Sequence, residues 1–142
     1  MVQILRHFIL VLLILVFFSG CDDECNDCLE LTTKNVVYLD ANGSNLLFGD
    51  QAIYNPDSVE IRASNNDEVS VWKEEDTGSI MFNLGQFYNS YHIFLSASII
   101  DTLQFELAER KSEQCCGNVT YSTKTFLNGL EIENNDLITI MH

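Results

Sequence analysis

The feature that most constrains the fold is an alternation of apolar and polar side chains with a period of two. It is clearest in residues 102–108, where Leu103, Phe105 and Leu107 occupy every second position and polar or small side chains lie between them. A strand with one buried face produces this pattern, because successive side chains point to opposite faces of a sheet. No segment of about ten residues or more carries the three-to-four-residue apolar repeat of a helix.

The same alternation predicts eight or nine short strands separated by turn-forming residues. They lie at residues 35–39, 58–63, 68–72, 79–84, 91–96, 102–108, 119–126, 130–133 and 136–141. Asn128-Gly129 is the strongest turn signal, because these two residue types readily adopt the positive φ angles of a two-residue hairpin turn. Strands at this spacing predict an all-β fold: a single antiparallel β-sandwich of about eight strands, immunoglobulin-like or transthyretin-like. A small β-barrel is the alternative.

The first twenty residues differ from the rest and are typical of an export signal. Arg6 precedes an apolar run at residues 8–18, which is followed by Ser19-Gly20-Cys21. A helical run of this length would cover about half of the ~30 Å apolar core of a bilayer, so it does not fit a membrane span. We therefore predict a signal peptide at residues 1–20, cleaved between Gly20 and Cys21.

Residues 17–21 resemble a bacterial lipobox, in which small residues precede a cysteine whose thiol receives a diacylglyceryl group. The resemblance implies lipidation of Cys21 and a membrane anchor at the new N-terminus. Each buried acyl CH₂ contributes about 0.8 kcal/mol, so two or three chains anchor a protein firmly. The alternative is an ordinary secretory signal followed by an incidental cysteine.

The mature chain is strongly acidic. The full sequence has 7 Lys+Arg and 21 Asp+Glu, a net charge of −14, and removal of Arg6 with the signal gives 6 − 21 = −15. This charge argues against binding nucleic acid and against direct docking on anionic lipid. It favours solubility at a crowded surface, with binding of divalent cations as the alternative. The 142 − 20 = 122 mature residues suit one domain, with an acidic tether at 21–30 and the β-sandwich at 31–142.

Four cysteines remain once Cys21 is assigned to lipid: Cys25, Cys28, Cys115 and Cys116. An exported compartment permits disulfides, and four cysteines allow three pairings. Because a bond between adjacent cysteines closes a strained ring, we favour at least one bridge between the 25/28 pair and the 115/116 pair. Redox activity of the CxxC pair and a structural zinc site are the alternatives.

Several other segments suggest sites, each with a simpler structural explanation. Residues 40–45 place oxygen-bearing side chains as a calcium loop would, but a hairpin turn explains them better. Glu74-Glu75-Asp76 could bind a cation or form a solvated loop. His92 lies in an apolar strand, where a hydrogen-bonded structural role is usual. Four aromatic residues have two explanations: they form a platform that binds a sugar ring, or they belong to the hydrophobic core. They are Trp72, Phe87, Tyr88 and Tyr91.

Most of the mature chain resembles the small uncharacterised lipoproteins of Bacteroidota. The similarity rests on the lipobox and on residues 40–47, 54–59, 127–129 and 135–137. It implies the outer membrane, and the acidic residues 22–24 resemble the signal that sends such lipoproteins to the cell surface. Asp57-Ser58-Val59 and Asp101-Thr102-Leu103 resemble the O-glycosylation motif of these bacteria, which implies sugar on Ser58 and Thr102.

These observations predict a lipid-anchored protein of the cell envelope that acts as a non-enzymatic binding or structural accessory. Its ligand would be another envelope protein or a glycan. No catalytic residue, metal-ligand set or cofactor is predicted. The alternative is a metal-binding or thiol-redox envelope protein that uses Cys25, Cys28, Cys115 and Cys116.

Overall fold

The computed structural model describes residues 33–85, 88–111 and 118–142, and this part of the chain is built almost entirely of strands. A single turn of 3-10 helix occupies Pro56–Ser58. The strands are β1 (Thr33–Leu39), β2 (Glu60–Ala63), β3 (Glu68–Val69), β4 (Trp72–Glu74), β5 (Ser79–Asn83), β6 (Ser90–Ser96), β7 (Ile99–Lys111), β8 (Asn118–Leu127), β9 (Leu130–Ile132) and β10 (Leu137–Met141). None of the described residues belongs to a helix with the length and hydropathy needed to cross a membrane.

The strands form two sheets that pack face to face. One has four strands in the order β10-β1-β5-β4, and the other has six in the order β3-β2-β6-β7-β8-β9. In the described part of the chain these sheets do not close into a barrel, so the predicted all-β sandwich is confirmed and the barrel alternative is wrong.

Two details of the predicted strands are wrong. β1 and β10 pair in parallel, with Val36 opposite Ile138, so the sandwich is not purely antiparallel. Alternation specifies which face of a strand is buried but not the direction of its neighbour. The predicted strand at 68–72 is in fact two, because β3 pairs within the six-stranded sheet and β4 within the four-stranded sheet. Val71, between them, packs against the core where the chain crosses from one sheet to the other.

The core lies between the sheets and is formed by the inward side chains of both. The four-stranded sheet supplies Val36, Tyr38, Ile80, Phe82, Ile138 and Ile140, and the six-stranded sheet supplies Ile61, Ala63, Tyr91, Ile93, Leu95, Leu103 and Phe105. Tyr91 is the aromatic centre of this core, since its ring lies 5.1 Å from that of Phe82 and 5.9 Å from that of Phe105. These rings come from both sheets and hold them together by apolar burial.

The turn between β8 and β9 confirms the strongest turn prediction. Asn128 and Gly129 have φ angles of 50° and 83°, which a two-residue hairpin turn of this handedness requires. The Asn128 side-chain oxygen also accepts a hydrogen bond from the Thr102 backbone amide (2.8 Å), and the backbone amide of Asn128 donates to the Thr102 carbonyl (2.8 Å). The hairpin is therefore fastened to β7 as well as closed on itself.

The core predicts a sharp contrast between two isoleucines. Ile80 is fully buried, whereas Ile53, in the loop between β1 and β2, is 69% exposed. Ile80→Ala should lower the free energy of unfolding by about 2–5 kcal/mol, through lost burial and the cavity left behind. Ile53→Ala should change it by less than about 0.5 kcal/mol. Urea unfolding followed by circular dichroism measures both, and equal effects would contradict the assigned core.

Candidate interaction surface

The outer face of the four-stranded sheet is the most distinctive surface of the described residues. Strand register places one row of side chains across all four strands: Trp72, Met81, Asn35 and Leu137. The same register gives two further pairs on this face, Val37 beside Thr139 and Leu39 beside Met141. We call this the apolar face, because most of these side chains are apolar.

The apolar face is partly open to solvent. Trp72, Leu137 and Met141 are 47%, 53% and 55% exposed, whereas Val37, in the middle of the sheet, is almost buried by its neighbours. Among the outward positions of its strands the only charged residue is Glu74, at the end of β4. A chain of net charge −14 therefore places almost no charge at the outward positions of these four described strands, which is typical of a contact surface.

The outer face of the six-stranded sheet has the opposite character. Glu60 forms an ion pair with Arg62, whose guanidinium lies 5.8 Å from the centre of the Phe94 ring. Lys124 Nζ lies 3.2 Å from the Glu106 carboxylate on neighbouring strands. This face therefore carries several charged side chains, although it also exposes Ile100 (49%) beside Phe94. The two outer faces differ mainly in their charge.

β10 forms one edge of the four-stranded sheet, and its outer backbone groups face solvent. The amide of Asn35 donates to the Asp136 carbonyl (2.8 Å), and the amide of His142 donates to the Leu39 carbonyl (2.9 Å). In a parallel pair this register directs the backbone of the even-numbered residues toward β1. The N–H and C=O groups of Leu137, Thr139 and Met141 therefore point away from the sheet. We call this row the open edge.

A buried polar cluster fixes the end of β10 to the other sheet. Asp101 is inward on β7 and only 2% exposed. It accepts hydrogen bonds from the side chains of Asn128 and His142, each at 2.8 Å. The His142 ring in turn stacks on the Tyr38 ring, with centroids 5.7 Å apart and planes at 18°. A buried carboxylate needs such donors, because an unpaired charge is costly in the interior.

Tyr38 completes this cluster without a formed hydrogen bond. Its hydroxyl is buried and has no partner of acceptable geometry among the described residues. Burial, and next the negative charge of Asp101, raise the pKa of Tyr38 above its usual value. Since the hydrogen-bond geometry is not met, the contact between these two groups is electrostatic.

The carboxylate at the other end of β10 also has partners. Lys34 is only 3% exposed, and its ammonium donates to the Asp136 carboxylate (2.9 Å) and to the Asn135 carbonyl (3.1 Å). The open edge thus lies between two ends at which a carboxylate accepts a hydrogen bond, Asp136 from Lys34 and Asp101 from His142. It carries no charged residue of its own between Leu137 and Met141.

The described aromatic residues considered as a sugar-binding platform do not lie together on one surface. Tyr91 is fully buried between the sheets, Trp72 lies on the apolar face, and Tyr88 donates a hydrogen bond to Asp67 (2.7 Å). Phe87 lies outside the described residues. The explanation as core aromatics is correct for Tyr91, but the half-exposed Trp72 belongs to the surface.

The structure places the remaining candidates as turn or strand residues. The Asp40 carboxylate accepts hydrogen bonds from the amides of Ser44 (2.7 Å) and Asn42 (2.9 Å), and the Ser44 bond is the main cause of its lowered pKa. This supports the hairpin turn over a calcium loop. Ser58 is exposed at the 3-10 turn, whereas Thr102 is half-buried and lies 3.1 Å from His92 Nδ1. Glycosylation of both stays a prediction.

Cys21, Cys25, Cys28, Cys115 and Cys116 all lie outside the described residues, so lipidation and disulfide pairing stay predictions. Among the residues that the structure describes, no cluster of three or more His, Cys, Asp or Glu side chains is arranged to hold a metal ion. A shallow cleft of about 230 Å³ opens on the outer side of the six-stranded sheet and is lined by Asn89, Gln104, Phe105, Glu106 and Phe126. It offers one carboxylate, which Lys124 already engages.

Sequence reasoning missed the apolar face and the Asp101 cluster, although both leave a signal. Asp101 occupies an inward position of the alternation that places Leu103 and Phe105 in the core, where a charge demands a partner. In residues 36–39 and 137–141 apolar side chains occupy both parities, which indicates a strand with two apolar faces.

Comparison with known proteins identifies no relative of this chain. No protein-family model, no curated protein and no solved structure matches the chain.

Tyr38 predicts how stability depends on alkaline pH. In the unfolded chain its phenol loses a proton near pH 10, while in the folded protein the raised pKa keeps it protonated. Its contribution is therefore complete below about pH 10 and is lost as the pH rises further. Tyr38→Phe should flatten this alkaline decline and leave stability at pH 7 unchanged or slightly higher, because a buried hydroxyl without a partner is removed.

Urea unfolding between pH 7 and 11 measures the effect. Part of the decline should persist in Tyr38→Phe, since burial also raises the pKa of Tyr91. Tyr54→Phe is the control, because it removes a phenol at another position. If both variants reduced the loss of stability at alkaline pH equally, the decline could not be assigned to Tyr38.

Proposed function

We propose that this chain is a lipid-anchored protein of the bacterial cell envelope that acts as a non-enzymatic binding or structural accessory through its apolar face and open edge. The observation that carries the binding role is the contrast between the two outer faces. One bears ion pairs and exposes a single large apolar side chain on its described strands, Ile100, whereas the other has one charged outward residue and presents Trp72, Leu137 and Met141 to solvent. Exposed apolar surface of this kind is a cost to an isolated protein and becomes favourable once it is covered.

The anchor is supported by the sequence before the sandwich. Cys21 follows a short apolar run and two small residues, as a lipobox cysteine does. The first strand begins at Thr33, which leaves 33 − 21 = 12 residue steps between them. Fully extended, they would span about 40 Å. This is an upper limit, because the bridge predicted between the 25/28 pair and the 115/116 pair would leave only the residues between Cys21 and the bridged cysteine as a free tether.

The anchor is tested by Cys21→Ser with Cys25→Ser as the matched control. Without the thiol at position 21 no thioether can form, so the precursor should keep its first twenty residues and carry no lipid. Cys25→Ser should mature normally. Intact mass of the membrane fraction, expressed in a bacterium that processes lipoproteins, measures both, and normal maturation of Cys21→Ser would refute the anchor.

The contact role is tested with an apolar fluorescent dye. Trp72 is the only tryptophan of the chain, so energy transfer from it to the dye detects binding, and comparison of variants shows whether the dye lies on the apolar face. Met81→Ser should weaken dye binding to the folded protein by about tenfold, the change expected from losing roughly 1.4 kcal/mol of apolar contact. Ile53→Ser removes an exposed isoleucine outside this face and should leave binding unchanged. Equal loss in both variants, or no binding at all, would refute an apolar contact surface.

A further inference from the structure

The open edge differs from the other three sheet edges in the described part of the chain. β3 has two residues and includes Glu68, β4 has three and includes Lys73 and Glu74, and β9 has three and includes Glu131. Short length and charge are the usual protections of an edge strand against pairing with another chain. β10 has five residues, Leu-Ile-Thr-Ile-Met, and carries neither protection.

The geometry points to a second copy of this chain as the occupant of the open edge, joined by antiparallel pairing of β10 with β10 of the other copy. This inference rests on the proposed contact role of that edge and names its partner. With Thr139 on the twofold axis, Leu137 of each copy lies opposite Met141 of the other. In an antiparallel pair, two opposite residues whose N–H and C=O groups point toward each other form two hydrogen bonds. The pairs here are Leu137 with Met141, Thr139 with Thr139 and Met141 with Leu137, so the contact has about six hydrogen bonds.

The side chains support the same register. Leu137 and Met141, which are 53% and 55% exposed, stand on the same face as Thr139 and would cover one another across the junction. The four-stranded sheets would join into one of eight strands. Because each copy contributes the same surface, the contact closes as a dimer and does not continue into a fibre.

Charge favours this edge over the rest of the surface. Two copies of a chain with net charge −14 repel one another, and an approach through an uncharged strand brings the fewest carboxylates together. Two acidic side chains at the ends of β10 already have partners: Asp136 is paired with Lys34, and Asp101 accepts a hydrogen bond from His142. Among the side chains of β10 itself there is no carboxylate to oppose the contact.

The expected dimer is weak in dilute solution. A contact along one five-residue edge buries less than the ~800 Å² per partner of a standard interface. Attachment to a membrane would raise the local concentration of copies and favour pairing. We therefore expect monomer and dimer to interconvert with concentration.

The test is sedimentation equilibrium of the full chain, purified in a density-matched nonionic detergent, over a wide range of concentrations. Thr139→Pro removes an outward N–H, and Thr139→Lys adds a charge on the twofold axis while leaving the backbone intact. Either should raise the dissociation constant by at least about tenfold. Glu131→Pro and Glu131→Lys are the matched controls, because Glu131 lies in the middle of edge strand β9 and also directs its N–H outward.

The expected result is a dimer of the unmodified chain that both Glu131 variants retain and both Thr139 variants lose, with folding of each verified by circular dichroism. A monomer at every concentration, an oligomer that Thr139→Lys leaves intact, a polymer, or a dimer that a non-reducing gel shows to be disulfide-linked would each overturn the inference. A monomer whose Thr139 variants lose binding to a different protein would overturn it too, yet leave the contact role standing. Maturation of the Cys21 variants reports on the anchor separately.

Discussion

The four-stranded sheet depends on the pairing of β1 with both of its neighbours. β1 is hydrogen-bonded to β5 on one side and to β10 on the other, and it supplies Val36 and Tyr38 to the core. Without the parallel β1–β10 pair, Ile138 and Ile140 would leave the core. The six-stranded sheet would then face water across that part of its inner side. The apolar face exists only because this pair keeps the odd-numbered residues of β10 pointing outward.

The polar cluster at Asp101, on the six-stranded sheet, also fixes the position of β10 in the four-stranded sheet. A carboxylate among inward side chains must be matched by donors, and the matching groups come from the β8–β9 turn and from His142 at the end of β10. Apolar packing alone would allow the sheets to slide, since burial has little directional preference. Two hydrogen bonds to one buried carboxylate allow only one alignment. The cluster therefore gives the edge strand a fixed position, which a contact surface requires.

Much of the fold could be predicted from alternation alone, because side-chain parity is set locally. The turn at Asn128-Gly129 could be predicted for the same reason, since its φ angles are a property of two residues. Strand direction and strand partners are not local, so neither the parallel pair of β1 and β10 nor the division of residues 68–72 between two sheets could be read from the pattern. The same limit applies to the apolar face. Trp72 lies on it because β4 pairs with β5 and places Trp72 opposite Met81, and no sequence motif predicts that pairing.

The distribution of charge explains how an acidic chain could associate with itself. At physiological ionic strength the Debye length is about 8 Å, while packed sheets lie about 10 Å apart. The charges of the six-stranded outer face are thus separated from the open edge by more than one screening length. Two copies that approach through β10 meet mainly neutral side chains, whereas an approach through the outer face of the six-stranded sheet brings its charged side chains together. Repulsion between two acidic copies therefore disfavours contacts through charged surfaces. Contact through the uncharged strand β10 is opposed less.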